Sequence, residues 1–165
     1  MNRFWALLIL IVTIILSDQL IKGSVQSTFY VGESKDIFPL FFKLSYLRNT
    51  GAMLGYFSHS SPLVKNIVFL YTPLLACVLV FILLIRSLKG PIYMSLAYSL
   101  ILAGAQSNLL DRVTLGYVVD YLTFHFNGHY FPTFNIADLS ISIAIIIFII
   151  DMLWIILIAP KEAVK

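Results

Sequence analysis

Four long apolar runs, separated by two polar intervals and one short turn, set the pattern of this chain. The first run predicts a helix over 4–25. Its apolar pattern continues past Asp18 through Leu20 and Ile21, and it approaches the roughly 20 residues that a bilayer span needs. Arg3 ahead of a short apolar core resembles a secretory leader, but no small-x-small cleavage site follows. Further spans are expected over 63–85, 92–110 and 137–158, the second kinked at Pro73 because proline removes a helical donor. The third carries Ser95, Ala97, Ser99, Ala103, Gly104, Ala105 and Ser107, which suits close helix packing inside a membrane. Residues 26–61 alternate in the manner of strands, through Phe29, Val31, Ile37, Phe38, Leu40, Phe42, Leu44, Tyr46 and Leu47, with Gly32 and Pro39 as breaks. A small sheet is expected there. In the other polar interval, 111–136, Phe126-Asn127-Gly128 reads as a hairpin turn.

Composition turns these runs into a membrane protein. The chain is 60% hydrophobic and 12% charged, too apolar for a folded water-soluble core. Arg3, the Arg86/Lys89 turn and the Lys161/Lys165 tail fall on one side of a four-span layout, which marks that side as cytoplasmic and places 26–61 and 111–136 outside. The net charge of +3 is scattered at run ends, and no basic cluster suggests nucleic acid. Cys77, the single cysteine, falls in an apolar run and reads as a packing residue. His125 and His129 flank the predicted hairpin without a zinc motif, and neither a nucleophile elbow nor a glycine-rich phosphate loop is present.

The remaining chemistry is carboxylates. Three of the eight acidic residues fall between Asn108 and Asp138, and ionisable groups near a bilayer are functional candidates by default. Asp18, Asn108, Asp111 and Asp138 all fall near the outer ends of their predicted spans, and Asp120 falls in the loop between the last two. Two carboxylates brought close share a proton, so one can act as general base on water while the other acts as acid on a carbonyl oxygen. Asp18 and Lys22 share a helix face; they are open to a reading as a snorkelling interfacial pair or as an inward-pointing one. Asp111 and Arg112 are likewise open between a structural ion pair and a lipid-phosphate contact. Asp151 comes 13 residues after Asp138, about 20 Å along a helix and on nearly the opposite face, so it belongs to a different place. A small ion-coupled transporter and a non-catalytic scaffold compete as readings. The transporter calls for carboxylates spread through the membrane depth, and the scaffold leaves Asp120, Asn135 and Asp138 without a purpose.

Five short motifs occur in order: Asp18-Gln19-x-x-Lys22, Arg48-Asn49-x-Gly51-Ala52, Asn108-x-x-Asp111-Arg112, Gly116-x-Val118-Val119-Asp120 and Phe134-Asn135-x-Ala137-Asp138. Together they resemble bacterial lipoprotein signal peptidase (signal peptidase II), an aspartyl protease family of the inner membrane. The resemblance implies one all-α membrane peptidase domain over 1–165, with four spans and a small extracytoplasmic β-cradle between the first two. It implies Asp120 and Asp138 as the catalytic dyad. Asp18, Lys22, Asn49, Gly51, Asn108, Asp111, Arg112, Asn135 and Ala137 fall on positions that support the dyad or contact substrate. It further implies prolipoprotein substrates whose lipobox cysteine carries diacylglycerol, cleavage just before that cysteine, no metal, contact with membrane lipids and sensitivity to globomycin-type peptides. Met53 and Ser107 depart from the family pattern, where small residues and glycine are usual.

Overall fold

The computed structural model describes residues 2–50 and 61–158. Helix α1 (Arg3–Thr28) is followed by strands β1 (Ser34–Phe38) and β2 (Phe42–Asn49). A second membrane-length run then comprises α2 (Pro62–Asn66), a π-helical turn (Ile67–Tyr71) and α3 (Thr72–Ser87). Helix α4 (Ile92–Leu115), strands β3 (Val118–Phe126) and β4 (His129–Tyr130), and helix α5 (Ile136–Leu157) complete the chain. Three of these segments, Arg3–Thr28, Pro62–Ser87 and Ile136–Leu157, are long and apolar enough to cross a membrane. Large apolar side chains such as Ile9, Val12, Leu16, Ile146 and Ile150 stand exposed along them, as a lipid environment rewards and water does not.

Helix α4, the expected third span, differs. It has 24 residues, but most of its buried positions are polar or small, among them Ser95, Ser99, Gly104, Ser107, Asn108 and Asp111, with Leu100 and Leu102 the larger exceptions. It packs against α1, α3 and α5, so it forms the centre of the bundle. It also runs five residues beyond the expected end at 110. Asp111 and Arg112 therefore belong to a helix rather than to the outer polar segment. Gly116 stops it, with φ +81° and its N–H on Arg112 O, the left-handed cap that glycine adopts most easily.

The interruption expected at Pro73 takes the form of the π turn. Pro73 has no N–H to offer Phe69 O, so the ladder widens: the Thr72 N–H and hydroxyl both reach Ile67 O, the hydroxyl at 2.8 Å. At the opposite end of α3, Arg3 Nη1 donates to Leu88 O and Gly90 O, each at 2.8 Å, and clips the start of α1 to the α3–α4 turn. Arg3, Arg86 and Lys89 thus gather at one end of the bundle.

The sheet forms at the other end, and it draws on both polar intervals rather than on 26–61 alone. Its order is β1-β2-β3-β4, all antiparallel, with Leu47 opposite Asp120 and Asn49 opposite Val118. The β3–β4 hairpin turns at Asn127 and Gly128 with φ +47° and +80°, as an Asn-Gly pair favours. Val25, Tyr46, Val119 and Tyr121 form a core beneath the sheet, which ties it to the outer end of α1.

The α4–α5 seam depends on the absence of a side chain at Gly104. A Cβ there would overlap Ala137 O, Ser140 Oγ and Ile141 Cγ1. Ala97, Ala137 and Ala144 are fully buried at the seam, and Ser140 satisfies its hydroxyl on Leu100 O and Ala137 O. Gly104→Val is therefore expected to push α4 and α5 apart at a cost of about 2–3 kcal/mol or more. In detergent this reads as a lowered unfolding temperature; an unchanged midpoint would show that the seam is looser than described.

Candidate active site

The site is built around a lysine that has no access to water. Lys22 and Asp18 are 1% and 0% exposed, one turn apart on α1, so of the two readings of this pair the inward-pointing one is correct. Lys22 Nζ lies 2.7 Å from Asp18 Oδ2 and 2.8 Å from Asp111 Oδ2, and donates to Asn108 Oδ1 at 3.0 Å. An ammonium has three protons, and here each has an acceptor.

The two carboxylates are held in turn. Asp18 accepts from Ser107 Oγ at 2.7 Å and from Tyr121 OH at 2.9 Å. Burial, reinforced by the Asp18 charge, holds the Tyr121 phenol well above its ordinary value, so it stays a donor. Asp111 accepts from Gln19 Nε2 at 2.8 Å and from the Val119 N–H at 3.0 Å. That last bond joins α4 to β3 one residue before Asp120.

From Asn108 the network passes to the second pair of carboxylates. Asn108 Nδ2 donates to Asp138 Oδ1 at 2.8 Å. Asn135 is the N-cap of α5. Its Oδ1 accepts from the Asp138 N–H at 2.8 Å, and Asp138 Oδ2 accepts from the Asn135 N–H at 3.2 Å, a reciprocal capping box. The amide nitrogen of Asn135 shares its protons among Asp120 Oδ1 at 2.8 Å, Asn108 Oδ1 at 3.1 Å and Val119 O at 3.2 Å. Asn49, from β2, donates to Asp120 Oδ2 at 2.9 Å. Asp120 and Asp138 are thus fixed side by side through Asn135, one from a strand and the other from the first turn of a helix.

Asp120 is 3% exposed. Burial pushes its carboxyl up to about 6; the Asn49 hydrogen bond opposes the rise and the Asp138 charge adds to it. A carboxyl held near neutrality beside a second one can keep a proton where an ordinary aspartate loses it.

The structure therefore brings Asp18, Lys22, Asn49, Asn108, Asp111, Asp120, Asn135 and Asp138 into one network. Arg112 stands apart from Asp111, whose partner is Lys22, so of the two readings left open for Arg112 the ion pair with Asp111 is not the one made. Its guanidinium lies 6.0 Å from the centroid of the Phe69 ring. It lines a cavity of about 200 Å³ together with Lys65, Asn66 and Gly116. Ala137 is a packing residue, fully buried against Gly104. Gly51 and Met53 lie outside the described residues. His125 sits on the sheet with Nε2 at 3.5 Å from Asp36 Oδ1, away from the dyad. Three members of the network were not singled out as site residues: Gln19, Ser107 and Tyr121. Gln19 stood inside the first motif, whereas the contact of Tyr121 with Asp18 spans 103 positions and has no local signal.

Lys22→Met leaves Asp18 and Asp111 buried without a counter-charge. The expected loss is about 3–5 kcal/mol of stability. Thermal unfolding in detergent checks this, and a variant as stable as the parent would contradict the network.

Comparison with known proteins agrees with this geometry. Residues 10–154 match the family described as Signal peptidase (SPase) II. The lipoprotein signal peptidase of Syntrophus aciditrophicus is 35% identical over 85% of this chain and 87% of its own length. That of Shewanella amazonensis is 38% identical over 86% and 83%, and that of Staphylococcus aureus strain MRSA252 is 34% identical over 88% and 86%. A solved bacterial membrane enzyme superposes with TM-score 0.76 at 30% identity, covering 97% of this chain and 94% of that one. Sequence and fold agree over nearly the whole chain, and it belongs to the signal peptidase II family, an aspartic-type protease of the membrane.

Proposed function

We propose that this chain is an intramembrane aspartyl endopeptidase that removes the signal peptide from diacylglyceryl-modified prolipoproteins, cutting just before the lipidated cysteine. The observation that carries this reading is the clamping of Asp120 and Asp138 by Asn135. Among the described residues no third acid competes for that position, because Asp18 and Asp111 are engaged by Lys22.

The chemistry follows from one shared proton. The ionised member of the dyad takes a proton from water, whose oxygen attacks the scissile carbonyl. The protonated member gives its proton to the carbonyl oxygen, so the tetrahedral intermediate forms without a bare oxyanion. Collapse breaks the C–N bond, returns the carbonyl and moves a proton to the leaving amine of the cysteine. The side chains supply every proton transfer, and no metal is required. Asn49, Asn108 and Asn135 hold the carboxylates by neutral donors, which orient them while leaving room for the shared proton.

Four spans with both termini cytoplasmic fit this chemistry in the bacterial inner membrane. Arg3, Arg86 and Lys89 lie at the end away from the dyad, as cytoplasmic basic residues would. The dyad then lies at the outer face, where the acyl chains of the substrate stay in lipid while water reaches the peptide. Arg112, which lines a cavity with Phe69, suits a substrate or lipid contact, and globomycin-type peptides suit the dyad.

Asp120→Asn and Asp138→Asn are each expected to lower kcat/KM on a diacylglyceryl-modified prolipoprotein by at least about a thousandfold with folding retained. The assay maps the cut by mass. More than a tenth of the parental activity in either variant, or a cut elsewhere than before the lipidated cysteine, would overturn the assignment.

A further inference from the structure

Asp151 has no part in the network above, yet it is a carboxylate in the last membrane helix. It lies at the basic end of the bundle, near the start of α4, where Tyr93 OH donates to its Oδ1 at 2.6 Å. None of the ion pairs found among the described residues includes it. The pair sits in a shallow lateral groove of about 320 Å³ lined by Tyr93, Ile147, Ile150, Asp151 and Trp154. The groove opens outward: Tyr93 is 41% exposed, Trp154 58% and Ile150 62%. A carboxylate in an apolar groove beside lipid is costly, and one neutral hydroxyl does not offset its charge.

We propose that this groove receives the basic n-region of the substrate's signal peptide, with Asp151 and Tyr93 meeting a lysine or arginine side chain; this rests on the peptidase reading above. Depth supports it. Asp151 lies 13 residues below Asp138 on α5, about 20 Å along the axis. A signal peptide carries an apolar h-region of roughly 7–15 residues between its basic n-region and the cut, about 10–22 Å as a helix. With the scissile bond at the dyad, the n-region arrives at the level of Asp151.

Sidedness supports it as well. The n-region stays on the cytoplasmic side, where Arg3, Arg86 and Lys89 place this end of the bundle. Those three cations repel a basic segment, so attraction there has to come from Asp151, the one carboxylate at this end among the described residues. Asp138 and Asp151 are separated by about 140° around α5, which requires the bound signal helix to cross α5 obliquely. A lysine or arginine stem several ångströms long spans what remains, its apolar part lying on Ile147 and Trp154.

The test is a cycle between enzyme and substrate. Two prolipoproteins are prepared with the same lipobox and diacylglyceryl cysteine, one with a Lys-Lys n-region and one with Gln-Gln. The parent enzyme is expected to prefer the Lys-Lys substrate by about five- to tenfold in kcat/KM, chiefly through KM. In Asp151→Asn the ratio falls to within about twofold of unity, and Tyr93→Phe lies between. Asp151→Lys reverses the preference, favouring the Gln-Gln substrate over the Lys-Lys one, a reversal that a folding defect cannot produce. A parental ratio near one, or the same ratio in parent and Asp151→Asn, overturns the proposal. So does an equal loss on both substrates, which would assign the groove to a lipid amine or a neighbouring helix. Cleavage of neither substrate by the parent enzyme overturns this proposal together with the peptidase reading.

Discussion

A single buried ammonium organises this molecule. Lys22 costs several kcal/mol to remove from water, and two carboxylates and an amide oxygen offset that cost only if α1 and α4 meet in one register. The same carboxylates then reach the sheet, Asp18 through Tyr121 and Asp111 through the Val119 N–H. Helix, helix and strand are thus fixed by one ion cluster, and a shift in any of them leaves a charge unpaired. In a bilayer, where apolar contacts distinguish poorly between one packing and another, such a cluster supplies specificity that hydrophobic burial cannot.

The ammonium is kept one residue away from the second carboxylate pair. Lys22 does not touch Asp120 or Asp138. Asn108 stands between, accepting from the ammonium on its oxygen and donating to Asp138 from its nitrogen. A lysine placed directly on the dyad would hold both carboxylates ionised and remove the acid that hydrolysis needs. Neutral amides transmit position without direct contact; the Lys22 charge still lowers Asp120 from a distance, but burial outweighs it and raises Asp120 to about 6. The ordering cluster and the proposed reacting pair are neighbours with opposite electrostatic requirements, and Asn108 and Asn135 stand between them.

Much of this was legible in the chain, and what was not has identifiable causes. The apolar runs located α1, α3, α4 and α5, and the Asn127-Gly128 pair located the hairpin, because both signals are local. The stop at Gly116 and the Asn135/Asp138 capping box were legible by the same rules, but the end of α4 was set at 110, where the apolar pattern ceases. The pairing of β2 with β3 was missed: Leu47 and Asp120 are 73 positions apart, and strand alternation does not name a partner. Asp120 and Asp138 were found as a pair only through the family motifs. Spacing alone set four aspartates at one membrane face without saying that Lys22 engages Asp18 and Asp111. The choice between an Asp111–Arg112 ion pair and a lipid contact stayed open in the sequence, and neighbours on a helix point about 100° apart, which adjacency does not convey.

The central claim is that Asp120 and Asp138 share one proton and that this proton is used in catalysis. The pH dependence of kcat/KM on a lipidated prolipoprotein tests it most directly. Protonating both carboxylates removes the base, and ionising both removes the acid, so the account predicts a bell. Because Asp120 is raised to about 6, the alkaline midpoint should fall at or above that value. A rate that climbs with pH and stays on a plateau to about pH 10, the profile of a lysine acting as base, would contradict it.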